Sequence, residues 1–224
     1  MFAESTCWDL IQQAASGSEA AQEEFVHRYL PAVRAYLTAR WRNSRLLNEV
    51  DDGTQEVFWQ CLRPGGGFER MTSVEGNFRG YLYGMTRNVA RMMERGDHQR
   101  REEQAPDDLG VTFESDEASL SRVFDQAWSR TLISEAVERQ RSLATERGAD
   151  ALQRIEMLRL RFQEDLPARR IADRLGVEST RVHRELTRAR EEFRDALEII
   201  LREHHGGSSV NLERECHDLL TLLG

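Results

Sequence analysis

The sequence predicts an all-α protein made of two small helical domains joined by an acidic linker, the second domain containing a helix-turn-helix. Three observations carry this. The 224 residues include only four prolines, apolar positions recur with the 3.6-residue helical period through most of the chain, and no run alternates as a half-buried strand does. A hydrophobic fraction of 39% is enough to build real cores. No apolar run approaches the roughly 18 residues of a membrane span. The start "MFAESTCWDLIQ" has no basic segment followed by an apolar one, so no membrane partner and a cytoplasmic location are expected.

Taken in order, a first helix is predicted over Cys7–Ala15. Ser16 or Ser18 can cap a second, which carries Phe25, Tyr29, Val33 and Leu37 with Pro31 as a kink point. A third runs from about Glu49 to Leu62 and stops at "RPGGGFER", whose proline and glycines cannot continue it. The fourth begins at Phe78 with a buried ladder of Phe78, Leu82, Met85, Val89 and Met92. Its opposite face carries Arg79, Tyr83, Arg87 and Glu94, with Tyr81 and Asn88 on the flank. Residues 97–119 are polar and acidic without an apolar ladder, and are assigned to the linker. A long helix with Leu120, Phe124, Trp128, Leu132 and Val137 follows, then a break at Gly148, then a helix with Leu152, Ile155, Leu158 and Phe162. The domains are thus 1–96 and 120–205, with a tail over 206–224.

The fourth helix interleaves aromatics with arginines. Tyr83 has an arginine four residues away on either side, which suits a base that stacks while its phosphate is neutralised; tyrosines that merely pack with their hydroxyls in water would give the same pattern.

"LPARRIADRLGVESTRVHRELTRAREEF" holds two ladders, Ile171, Ala172, Leu175 and Val182, Leu186, Ala189, Phe193, about a turn at Gly176 and Val177. A small Ala172 lets the helices approach, Gly176 tolerates positive φ and Val182 plugs the angle between them, the demanding positions of a DNA-binding helix-turn-helix. A helical hairpin in an unrelated bundle is the other source of such a pattern. Glu178, Ser179, Thr180, Arg181, His183 and Arg184 open the second helix and are the candidate base readers, with Arg188 and Arg190 placed for phosphate. Over 168–194, eight arginines against five acids give about +3. The whole chain carries −8, which argues against a simple polyanion binder, and all 31 basic residues are arginine.

Cys7, Cys61 and Cys216 lie far apart with no CxxC pair, so free thiols are expected. No phosphate loop, Ser/His/Asp or Cys/His constellation points to an enzyme, and no cofactor is expected. Paired carboxylates at Asp51 and Asp52 could ligate magnesium, but no second acidic helix or Glu-x-x-His supports this. "HHGGSSVNLERECHD" is read as a solvated tail before a metal site.

"DDGTQEVFWQC" followed by "FRGYLYGMTRNVA", and then "LRLRF" with the helix-turn-helix segment, resemble conserved regions two and four of the small extracytoplasmic-function group of bacterial RNA polymerase sigma factors, across roughly residues 5–200. The resemblance implies a transcription initiation factor with no chemistry of its own and no need of ATP. Asp51, Asp52, Gln55 and Glu56 would dock on the clamp of the largest polymerase subunit, with the flap of the second-largest as a further contact. Arg79, Tyr81, Tyr83, Arg87 and Asn88 would open the minus-ten element and hold the nontemplate single strand. Glu178, Ser179, Thr180, Arg181, His183, Arg184 and Arg188 would recognise the minus-thirty-five duplex. The acidic linker would thread the polymerase, and an anti-sigma protein is a conceivable further partner. Departures are Gly53 and Thr54 in place of two aliphatic residues, Met92 for an aspartate and Glu185 for an arginine. The alternatives are a stand-alone helix-turn-helix regulator of duplex DNA and a sigma-like decoy.

Overall fold

The computed structural model describes residues 7–68, 78–104 and 116–205, and every element among them is a helix. The described residues up to Thr131, with 203–205, form one compact unit and Leu132–Arg202 a second.

In the first unit, α1 (Cys7–Ala15) leads through a tight turn to α2 (Glu19–Trp41). Ser18 caps α2, its hydroxyl accepting the Ala21 N–H, and Pro31 lies inside the helix without ending it. Ser44 caps a 3-10 turn over Arg45–Glu49 in the same way, and α3 (Val50–Leu62) follows at once. The next described helix, α4 (Phe78–Gln104), and the beginning of α5 (Glu117–Arg147) complete the unit. α2 is its axis, packed against α1, α3 and α4. Phe25, wholly buried, is the centre of an aromatic cluster, with ring centroids of Phe68 at 4.7 Å, Tyr29 at 4.9 Å, Phe58 at 5.8 Å and Phe78 at 5.9 Å.

Gly53 is a condition of this packing. A Cβ there would lie 2.8 Å from Trp41 Cη2 and 3.2 Å from Leu37 Cδ1, so α3 approaches α2 only because the position has no side chain. Overpacking costs about 1–3 kcal/mol, against which alanine regains up to about 1 kcal/mol of helix propensity. Gly53→Ala is therefore expected to lower the urea midpoint of unfolding, and an unchanged or raised midpoint would show that the Trp41 ring yields.

On α4 the buried residues are Phe78, Leu82, Thr86, Val89 and Ala90, while Met92 is 42% exposed. At 100° per residue the centre of that set lies about 100° from Met92, which corrects the expected ladder. α4 also runs through Asp97 to Gln104, into the segment assigned to the linker, with Asp97 buried against Arg45 and Arg101. Residues 105–115 of that segment, 69–77 before α4, and the 206–224 tail lie outside the described residues.

The second unit holds the rest of α5, then α6 (Ala149–Phe162), α7 (Ala168–Leu175) and α8 (Ser179–His205) as far as Arg202. Along α5 the small residues Ala136 and Ala144 are buried and Val137 is exposed, contrary to expectation. Gln140 between them donates its amide to the Ala189 carbonyl of α8 at 2.8 Å. The register of α6 also differs from the expected one. Ala151, Arg154, Met157 and Leu160 turn inward, and Leu152 and Phe162 face solvent. The inward charge is neutralised: Arg154 is bidentate to Glu192 at 2.9 and 3.2 Å and meets Glu185 at 3.5 Å.

α7 ends on Gly176 at φ 65°, ψ 35°, the left-handed conformation that L side chains rarely adopt. The N–H groups of Gly176 and Val177 both turn back to the Ala172 carbonyl. This angle brings Ile171 and Ala172 of α7 and Val182 and Leu186 of α8 into one core with Met157 and Leu160. Among the described residues no helix is long and apolar enough to cross a membrane.

Candidate functional site

Three groups of side chains were singled out in the sequence, and the fold treats each differently. On α3, Asp52, Gln55 and Glu56 stand one turn apart on the helix and line a groove of about 580 Å³. Its apolar wall comes from Val26 and Leu30 of α2 with Phe58 and Trp59 of α3. Trp59 is 55% exposed, and the Arg63 guanidinium lies 4.8 Å from its ring. Asp51 does not line the groove and pairs with Arg34 at 3.0 Å. Glu56 accepts the Gln60 amide at 2.7 Å, which holds its carboxylate in place. A half-exposed tryptophan over aliphatic side chains with two carboxylates beside it has the chemistry to receive an amphipathic helix bearing arginine or lysine.

On α4 the predicted residues part company. Tyr81 turns inward: a Cβ on Gly67 would fall 1.3 Å from its hydroxyl, and its ring lies 6.4 Å from Phe68. Burial pushes the neighbouring Cys61 thiol up to about 12, although a hydrogen bond with Tyr81 pulls the other way. Tyr81 is therefore placed for packing. Tyr83 is half-buried, its ring in edge-to-face contact with Tyr36 at 5.5 Å and Phe124 at 5.4 Å between centroids, and its hydroxyl donates to Glu117 at 3.2 Å. Burial, then the negative charge of Glu117, raise its pKa. Arg79 makes an ion pair with Asp125, Arg87 is half-buried and Asn88 is exposed.

Behind Tyr83 lies a network that the sequence did not announce. Arg40, with a side chain 4% exposed, binds Glu94 through Nε at 2.6 Å and Nη2 at 2.9 Å, and through Nη1 donates to Glu117 and to the Tyr36 hydroxyl, each at 2.9 Å. Trp41 Nε1 donates to Glu94 at 3.0 Å. Glu94, expected on the open face with Tyr83, is thereby drawn in. Burial alone would raise the Glu117 pKa, but hydrogen bonds from Arg40 and Tyr83, with Arg91 nearby, hold it below the ordinary value.

In the second unit the opening turns of α8 present Thr180, His183, Arg184 and Arg188 to solvent, the i, i+3, i+4, i+8 pattern of one helical face, and Thr187 completes it. Arg184 and Arg188 side chains are 73% and 63% exposed. Arg181 leans aside to Asp150 and Gln153, at 3.4 and 3.3 Å. Glu178 is exposed and Ser179 half-buried. Glu185 faces Arg154 rather than solvent, so at this position the sequence keeps a core ion pair. Arg190 lies 5.5 Å from the Phe162 ring, which covers part of that exposed phenylalanine.

The residues missed from the sequence are Val26, Leu30 and Trp59 in the groove, Arg40, Glu117 and Asp125 around Tyr83, and Thr187. Only Trp59 and Thr187 carried a local signal, the period of their own helices; the others are brought in from distant elements. Cys7 and Cys61 are buried free thiols, and no three metal-binding side chains converge among the described residues. The chain matches no protein-family model, and a search of curated proteins finds no significant match.

Proposed function

We propose that this chain is a transcription initiation factor of the extracytoplasmic-function sigma type, which binds core RNA polymerase, directs it to promoters and helps to open the DNA. The observation that carries this is the presence, on a chain of net charge −8, of two cationic helix faces in separate units together with an acid-edged apolar groove. Each fits one step of initiation.

In this proposal the groove with Asp52, Gln55 and Glu56 takes the clamp of the largest polymerase subunit. α4 takes the nontemplate strand, with Tyr83 as the stacking ring and Arg79, Arg87 and Asn88 beside it. α7, the Gly176 turn and α8 form the helix-turn-helix of a second domain, whose Thr180, His183, Arg184, Thr187 and Arg188 enter the major groove upstream. Separating base steps costs about 1.4 kcal/mol each and capture of a base by stacking returns about 1–3 kcal/mol, so strand capture balances opening without an external energy source.

Co-elution of the purified chain with core RNA polymerase tests the proposal. Wild type is expected to co-elute and the double variant Asp52→Arg, Glu56→Arg is not, because two cations then meet the basic partner. If wild type fails to bind polymerase but footprints duplex DNA alone, the chain is instead a stand-alone regulator.

A further inference from the structure

We propose that residues 117–131 of α5 are a displaceable cover over a single-strand nucleic-acid site on α4, with Glu117 and Asp125 standing where two phosphates of the strand would bind. The inference rests on the assignment of α4 to strand capture. It concerns what controls that surface.

The contacts run antiparallel. Asp125 meets Arg79, Phe124 meets the Tyr83 ring, and Glu117 meets Tyr83 and Arg91. The polar groups that α5 presents there are the Glu117 and Asp125 carboxylates and the Ser121 hydroxyl, and the partners of the two carboxylates are guanidinium or hydroxyl donors, the chemistry that would receive a phosphodiester. Glu117 has donors at three places, Arg40 at 2.9 Å, Tyr83 at 3.2 Å and Arg91 at 3.4 Å, an arrangement that also suits a tetrahedral phosphate. Between the two carboxylates, about 12 Å apart along α5, Phe124 presents its ring to Tyr83, the position that a stacked base would take. Arg87 Nε, on the same helix between Tyr83 and Arg91, is enclosed and has no hydrogen-bond partner among the described residues. A strand would supply it with an acceptor that α5 does not. The site is therefore wider than its present cover, and it adds Arg40 and Arg91 to the residues already assigned.

Phe124 packs against the Tyr83 ring at 5.4 Å between centroids, so a base stacking there and α5 compete for the same space. The test uses the full chain and a fluorescein-labelled mixed-sequence oligonucleotide of about 12 nucleotides, followed by anisotropy at about 50 mM salt. Glu117→Gln with Asp125→Asn is expected to bind at least about tenfold more tightly than wild type. The control Glu146→Gln with Asp165→Asn, which removes the same charge at exposed positions of the second unit, is expected to change binding little. Equal gain in both pairs, or no gain in the first, overturns the inference.

Hydrogen exchange of the wild-type chain supplies a second readout that needs no variant. Added strand should speed amide exchange across residues 117–131 and leave α2 and α3 unchanged; slower or unaltered exchange over 117–131 overturns it. Neither assay contains polymerase. Failure here with polymerase capture intact removes the cover and leaves the initiation-factor proposal standing, whereas strand binding on release of α5 without polymerase capture does the reverse.

Discussion

Arg40→Ala lowers the free energy of unfolding by about 3–5 kcal/mol, the usual cost of stranding a buried charge. Burial works against the Arg40 charge, yet hydrogen bonds to Glu94 and Glu117 overcome it and hold the guanidinium well above its ordinary pKa. Removing it leaves Glu94, whose side chain is 11% exposed, with the Trp41 N–H as its donor. Urea unfolding of the full chain measures the loss. Arg40→Met with Glu94→Gln should recover most of it, because neither new side chain is charged; a double variant as unstable as the single one would assign the effect to packing. Glu117 gives the experiment a pH dependence. Its pKa is lowered in the fold, so its share of stability is full above the ordinary 4.5 and is lost as pH falls through the depressed value. The difference between wild type and Arg40→Ala should therefore narrow below pH 4.5.

Arg154→Ala is the corresponding experiment in the second unit, with an expected loss of similar size, about 3–5 kcal/mol. The Arg154 side chain is 6% exposed and those of its partners Glu192 and Glu185 are 13% and 15% exposed, so all three charges lie under the surface. Hydrogen bonds to Glu192 raise the Arg154 pKa, against burial, and Glu185 adds to them. Glu185→Arg makes the argument specific. It sets a second cation against Arg154, and thermal unfolding should show a clear loss. A variant as stable as wild type would show that Glu185 is free to turn outward.

The sequence made some of this legible and hid the rest for physical reasons. The start of α2 and the stop of α3 followed from Ser18 and from the proline and glycines after Leu62, since caps and breakers act locally. The turn at Gly176 was equally plain, because a left-handed residue between two apolar ladders has few other uses. The α6 register was not, because apolar periodicity assumes that charges face water, and Arg154 faces two carboxylates supplied by α8. The end of α4 was read as linker for a related reason. Its "DHQRREEQ" has no apolar ladder, but arginine, glutamate and glutamine are good helix formers and Asp97 pairs with Arg101 one turn on. Of the candidate sites, the open face of α8 could be read from spacing, whereas Asp52, Gln55 and Glu56 on α3 were singled out by the family resemblance. The inward turn of Tyr81 depends on the space left by Gly67, and the groove depends on Val26 and Leu30 of another helix; neither dependence is visible in a local pattern.

The uneven exposure of the four tryptophans has an optical consequence. Trp41 is fully buried, Trp128 is 5% exposed and Trp8 is half-buried, while Trp59 stands 55% exposed at the edge of the groove. Its indole is thus the one a collisional quencher such as iodide reaches most readily, and the red edge of the emission belongs mainly to it. A helix seated on Val26, Leu30 and Phe58 would shield that ring and shift its emission to the blue. The chain thereby carries an intrinsic fluorophore at the place where its principal proposed partner would land.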